Sequence, residues 1–491
     1  MKYKKYFCMF AALVVACAAA AQDYPKVIFP GDYPDPTILR DGKDFYMTHS
    51  SFSYSPGFLI WHSQDLVNWE PISRANGAGM APDLVKYGDI YYLYYPWGKT
   101  NYVTWAKDMR GPWSKPVDLH VEGIDPGHIV DQEGNRYLHL SEGTVVQLAE
   151  DGLSVVGKPK KVYDGWQYPT NWDVECFCLE SPKLFFKDGY YYLTSAEGGT
   201  AGPATSHMAV SARSRKVTGP WENSPYNPIV HTYSADDAWW SKGHATVFDD
   251  ADGNWWIIYH AYKKGFHTLG RSTLLEPIEW TNDGWFRTKS HATLPVADEK
   301  VKGCGISDIS DNFCGDRIGL RWSTFGGVPK RCTELSDGWI TVTGKGNSPQ
   351  NGRVLLAIPV HEGYETQVEV ELQTASEAGL LLFYKPKVFA GITFKTDSIK
   401  CYSEFDEFKT SRNIFGRKMC LKIINDRNIC SFQASSDGEH WQTIASGINV
   451  SDMNHNEYNG FRSLRIALYV GGDGMARFHD FKYKNLNITK S

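Results

Sequence analysis

The sequence predicts an all-β protein in two parts, a five-bladed β-propeller followed by an antiparallel β-sandwich. Three observations point there. One unit, an aromatic strand, a second strand and a Trp-rich or Gly/Pro turn, recurs five times at a spacing of roughly 45–65 residues. No long amphipathic helical pattern competes with it. Beyond about residue 300 the unit stops, and short alternating strands with Gly-rich turns take over.

The first 21 residues read as a secretory leader: Lys2, Lys4 and Lys5, then an apolar run from Phe7 to Val15, then small residues from Ala18 to Ala21. The run is too short to span a bilayer. Val14-Val15-Ala16-Cys17 also has the form of a lipoprotein box, which would leave a lipidated Cys17. Both readings export the protein.

The propeller is expected over residues 22–298. Its units open with Asp35-Pro36-Thr37-Ile38, Pro82-Asp83-Leu84-Val85, Asp125-Pro126-Gly127-His128, Glu180-Ser181-Pro182-Lys183 and Gly243-His244-Ala245-Thr246. In the fourth, Asp188-Gly189 between two apolar aromatic runs is a strong hairpin signal. In a propeller the opening strand of each blade lines the central channel. Aligned on their apolar cores, these strands lead with Asp35, Ala81, Asp125, Glu180 (one residue further back) and His244. Three acids and a histidine therefore converge on one end of one channel. The sandwich is expected over residues 299–491. Its strands include Trp339–Thr343, Thr366–Leu372, Gly379–Tyr384 and Leu464–Val470.

Composition narrows the chemistry. Aromatic residues make up 14% of the chain, with 17 Trp and 28 Tyr, a load that suits sugar handling and equally a large β core. Net charge is −5 and no basic stretch is interleaved with aromatics, which argues against nucleic acid. Of ten Cys, two lie in the leader. The others show no zinc spacing and read as buried thiols, and Cys176 and Cys178, two apart, are not expected to bridge each other on a strand.

Glycosidic cleavage needs two carboxyl groups, one to protonate the leaving oxygen and one to activate water or to attack. A third carboxylate nearby can raise the acid's pKa. Asp35, Asp125 and Glu180 supply that set. His244 could bind a metal, a sugar hydroxyl or neighbouring core groups. Arg271 could clamp a hydroxyl or carboxylate. Phe52 could form a platform under a sugar or pack between blades, and Trp97 and Trp172 are weaker candidates of that kind. Glu197 could hydrogen-bond substrate. The role of Asp236, Asp237, Trp239 and Trp240 stays open, and Asp249, Asp250 and Asp252 read as a solvated turn rather than a Ca²⁺ loop.

Together these stretches resemble glycoside hydrolase family 43. The resemblance rests on Tyr33-Pro34-Asp35-Pro36, Ser50-Ser51-Phe52-Ser53-Tyr54-Ser55-Pro56-Gly57, Ile124-Asp125-Pro126, Glu180-Ser181-Pro182-Lys183-Leu184, Gly243-His244 and Leu269-Gly270-Arg271. Ser436-Asp437-Gly438-Glu439-His440-Trp441 is similar to the sandwich of the β-xylosidase branch. The resemblance implies hydrolysis with inversion of terminal pentose residues, β-D-xylose or α-L-arabinofuranose, from plant cell-wall oligo- or polysaccharides. It makes Asp35 the general base, Glu180 the general acid and Asp125 the group that tunes and orients the acid. It places Arg271 against substrate and His244 near the axis, beside a structural Ca²⁺ or a water cluster. No cofactor is required for the reaction. The chain departs from the family at Ser181, where Gly is usual, and over residues 167–176. A catalytically silent carbohydrate-binding protein, or action on another sugar such as galactose, are the alternatives. The sandwich is read as a sugar-binding module or as a buttress closing one side of the pocket.

Overall fold

The computed structural model describes residues 22–289, 291–292, 306–327, 332–404 and 406–486. The leader with Cys17 and the boundary at 298/299 lie outside the described residues. Among those described, no helix is long and apolar enough to cross a membrane.

Five antiparallel blades surround one channel. From the axis outward they are Thr37–Asp41, Asp44–Thr48, Phe58–Ser63 and Glu70–Ala75; Asp83–Tyr87, Ile90–Trp97, Thr100–Ala106 and Val117–Asp118; Gly127–Val130, Arg136–Leu140, Thr144–Leu148 and Val155–Lys161; and Glu180–Lys187, Tyr190–Glu197, Met208–Ser214 and Glu222–Asn223. The fifth holds Trp239–Asp249, Trp255–Lys263 and Arg271–Trp280, and its outermost strand comes from the other end of the domain. Lys26–Phe29 pairs with Arg271–Trp280, so the start of the domain closes the ring. Phe286–Thr288 adds a short pairing on the other end of the same strand. Two-residue turns set the register of the inner hairpins in the first, second and fourth blades. Asp188 and Gly189 both have positive φ, as the hairpin between Lys187 and Tyr190 requires.

The channel ends of the inner strands share one backbone device. Asp35, Ala81, Asp125, Ser181 and His244 all sit in the left-handed region, at φ between 32° and 56°. In the fourth blade that position falls on Ser181, and a register shift between Glu180 and Lys183 displaces the acid by one residue. A bulge of this kind re-aims a side chain.

The sandwich has two sheets. One contains Trp339–Thr343, Met475–Asn485, Gly363–Leu372 and Lys418–Asp426, and Gly363–Leu372 alternates between buried and half-buried positions with its outer face toward water. The other contains Glu377–Lys385 flanked by Arg465–Gly471 and Val388–Phe394, and Glu377–Lys385 is buried on both faces. Leu380 and Leu382 enter the sandwich core, whereas Leu381 and Phe383 pack with Phe52 and Tyr54 of the propeller. A strand covered on both faces reads as a continuous apolar run. The propeller also joins this sheet directly, since Tyr54–Ser55 pairs with Ser323–Phe325. Asp32 and Arg465 form a buried ion pair of 3.0 Å across the same interface.

Candidate active site

Three carboxylates reach the channel end from different blades, and one imidazole joins them. His244 Nε2 lies 3.1 Å from Glu180 Oε1 and 3.6 Å from Asp125 Oδ2, and its Nδ1 lies 3.5 Å from Asp35 Oδ1. Burial alone would lower the pKa of His244, but Asp35, Asp125 and Glu180 overcome it and push it up to about 9. His244 is therefore an imidazolium that neutralises part of a three-acid cluster. The two imidazole nitrogens are on the order of 2 Å apart, so the Asp35 Oδ1-to-Glu180 Oε1 separation is at most about 9 Å, a bound compatible with a water between them.

Asp35 sits in a cage of donors. Arg271 Nη1 donates to its Oδ1 at 2.9 Å, and the Ser50 hydroxyl donates to its Oδ2. Its backbone N–H donates to His260 Nδ1 at 3.0 Å. Burial would raise the Asp35 pKa, yet the charges of Arg271 and His244 hold it well below the usual carboxylate range. His260 itself is pushed down to about 3 by burial and by Arg271, so its neutral ring can accept that N–H.

The opposite side is poorer in donors. Asp125 is buried and accepts the Ser181 N–H at 3.2 Å. Burial, opposed by His244 but aided by the charges of Glu180 and Asp35, pushes its pKa up to about 7. Glu180 is the member of the three that keeps an opening to solvent, with 19% of its side chain exposed. The geometry sets an ionised Asp35 carboxylate across from Asp125, whose carboxyl holds its proton to near-neutral pH beside Glu180.

Other candidates fall into separate roles. Arg271 is buried, and one of its nitrogens is committed to Asp35, so its first task is to hold the base. Its guanidinium lies 5.8 Å from the Phe52 ring and 5.6 Å from that of Phe461, a sandwich residue. Phe52 both packs on the sandwich core and walls the Arg271 side of the site. Trp97 stands apart, 46% exposed at a hairpin tip, in a groove of about 430 Å³ that it shares with Phe52, Tyr95 and Tyr102. Glu197 corrects the substrate-binding expectation. It is fully buried, and its Oε1 accepts the Trp166 N–H at 2.6 Å. Burial pushes its pKa up to about 8, so it anchors a loop instead.

Trp172 stacks on His231 with ring centroids 4.5 Å apart. Asp250 accepts from Asn254 and Trp256 in a closed turn, and Asp249 pairs with Arg40. Asp237 caps the Tyr233 N–H and Asp236 pairs with Lys264. Cys176 and Cys178 are a second correction, because they form a disulfide. The chain is not extended there. Cys178 has φ 43° and the two Cα atoms are 5.4 Å apart, within bridging range. Cys332, Cys401 and Cys430 are buried free thiols as expected, while Cys314 is exposed.

Sequence reasoning missed His260, Ser50, Phe461 and His207. His207 is fully buried, has no hydrogen-bond partner on either nitrogen among the described residues, and stacks on His260 at 5.4 Å. A Cβ on Gly243 would lie 1.8 Å from its ring, so glycine is required there. Glu180, His207 and His244 offer ligand atoms within 4.8 Å of one another. Two imidazole nitrogens and one carboxylate oxygen do not fit Ca²⁺, which takes six to eight oxygens. No step below runs through a metal.

A propeller channel that sets an ionised carboxylate across from two further carboxyl groups has the parts a glycoside hydrolase needs. The chain belongs to the glycosyl hydrolases family 43: that family's model matches residues 24–286, and the model of the β-xylosidase C-terminal concanavalin A-like domain matches residues 310–484. It is 28% identical to a xylan 1,3-beta-xylosidase of Vibrio sp, over 93% of this chain and 97% of that one. It is 31% identical to the non-reducing end alpha-L-arabinofuranosidase BoGH43B of Bacteroides ovatus, over 93% of each. The GH43 BlXynB protein of Bacillus licheniformis superposes with a TM-score of 0.83 at 25% identity, covering 94% of this chain and all of that one.

Proposed function

We propose that this chain is an exported, inverting, exo-acting pentosidase that removes terminal β-D-xylose or α-L-arabinofuranose from plant cell-wall xylan-type saccharides. The observation that carries the reading is the unequal treatment of three carboxylates around His244: Asp35 is held ionised and Asp125 is held near neutrality. Asp35 takes a proton from water as the water oxygen attacks the anomeric carbon. The bond to the leaving oxygen breaks, and that oxygen takes the proton of Glu180. Asp125 stands beside Glu180 and orients it through the Ser181 turn. Proton exchange with solvent resets both groups, and no cofactor takes part.

The relatives' names, a xylosidase and an arabinofuranosidase, support a pentose. A sandwich residue, Phe461, beside Arg271 supports a pocket closed at one end, as exo action needs. A panel of aryl β-xyloside, α-arabinofuranoside and β-galactoside tests the sugar, with NMR of the first-formed anomer testing inversion. Turnover of the galactoside alone would replace the sugar, and retention would replace the mechanism. Tight sugar binding with no turnover would leave a carbohydrate-binding protein. Cell fractionation with the mass of the mature N-terminus tests export and separates cleavage after Ala21 from a lipidated Cys17.

A further inference from the structure

The loop over residues 163–178 joins the third blade to the strand that opens with Glu180. Its tie points are unusually many. Glu197 accepts the Trp166 N–H, Phe177 O accepts the Gly198 N–H at 3.0 Å, and Glu175 N–H donates to Ser206 Oγ at 2.8 Å. The Cys176–Cys178 disulfide closes its last turn. Half-buried Trp172 stacks on buried His231, at 4.5 Å and 5°, and near Tyr168, at 6.4 Å and 12°. At its margin Phe177 is 38% exposed and Tyr233, edge-on to Trp172 and His231, is 69% exposed. Rings left at the surface but held by neighbouring rings contribute little to a core, and their faces suit the C–H faces of a sugar.

Chemistry fixes which sugar. The acid protonates the leaving oxygen, so the saccharide beyond the scissile bond must depart on the side of Glu180. The opposite side is filled by Arg271, Phe52 and Phe461, with the sandwich seated over the first and fifth blades. His231 pairs with Met208, at the channel-end edge of the fourth blade, and only Cys178 and Leu179 separate Phe177 from Glu180. The exposed rings of Phe177 and Tyr233 therefore lie on the Glu180 side of the channel end.

Resting on the functional reading above, we infer that Phe177 and Tyr233, braced by the 163–178 loop, form the subsite for the leaving saccharide, a pentose oligosaccharide chain running outward over the fourth blade. The test compares kcat/KM on linear pentose tri- and tetrasaccharides with kcat/KM on the glycosyl fluoride of the same terminal sugar, which has no saccharide to place. In Phe177→Ala, Tyr233→Ala and the double variant, the oligosaccharide-to-fluoride ratio should fall at least tenfold, chiefly through KM, and Phe177→Trp should restore it. An unmoved ratio overturns the inference. So does a ratio that falls in Trp97→Ala but not in these variants, since the chain would then cross the second blade. If the wild-type protein turns over no pentoside, the functional reading fails and takes this inference with it; wild-type turnover with an unmoved ratio sinks the inference alone.

Discussion

The two sides of the channel carry the same functional group and treat it oppositely. On one side Asp35 is surrounded by Arg271, Ser50, His260 and His244, and stays ionised despite complete burial. On the other, Asp125 has the Ser181 N–H and a more distant share of His244, and its carboxyl holds a proton to about pH 7. Burial is common to both, so donor count decides the outcome. Both sides lean on one imidazolium, so neither is electrically independent of the other.

The largest effect should come from the caged side, where nothing can replace the base. Asp35→Asn should lower kcat by about 10⁴ on every substrate, whatever the leaving group. A variant that retains activity on any pentoside removes Asp35 as the base. Glu180→Gln should separate substrates instead. Turnover of saccharide leaving groups should fall by about 10²–10⁴, while dinitrophenyl glycosides, whose leaving oxygen hardly needs a proton, should lose less than about tenfold. Equal losses on both would mean that Glu180 is not the acid.

Asp125 sharpens the comparison through pH. Its folded pKa is raised, so its proton is bound below about 7 and lost as pH rises through that value. The kcat/KM profile should therefore be flat on the acidic side and fall above about pH 7, while Asp35, held low, imposes no limb near neutrality. Asp125→Asn removes the titrating carboxyl beside Glu180, whose charge above about pH 7 would help hold a proton there. The proton should then leave at lower pH, moving the alkaline limb down by about one unit or more and lowering the plateau by about 10²–10³. A limb that stays in place in the Asn variant would show that Asp125 does not set it.

The difference between the two sides also explains what the sequence could reveal. Asp35, Asp125, Glu180 and His244 were legible because each leads an inner strand, and the repeat puts equivalent positions on one axis. The cage around Asp35 was not, because it obeys no repeat. His260 comes from the second strand of the fifth blade, Ser50 from a loop and Phe461 from the other domain. The closing strand Lys26–Phe29 is too short to carry a period, and its partner is some 245 residues away in sequence. The Cys176–Cys178 bridge escaped because a strand was assumed where the chain turns.

The smallest effect tests how the acid side is aimed without a cage. Ser181 is buried at φ 54° and passes its N–H to Asp125, so backbone conformation does there what side chains do around Asp35. A left-handed φ costs a residue with a Cβ on the order of 1 kcal/mol relative to glycine. Ser181→Gly should raise stability by about 0.5–1 kcal/mol in thermal unfolding and leave kcat within about threefold. Ser181→Val places a β-branched residue where one is rarely tolerated. It should pull the turn toward an extended φ, swing Glu180 off His244 and lower kcat by about 10² or more on saccharide leaving groups. A folded Val variant as active as the Gly variant would mean that the left-handed turn does not aim the acid, and that His244 alone holds Glu180 in place.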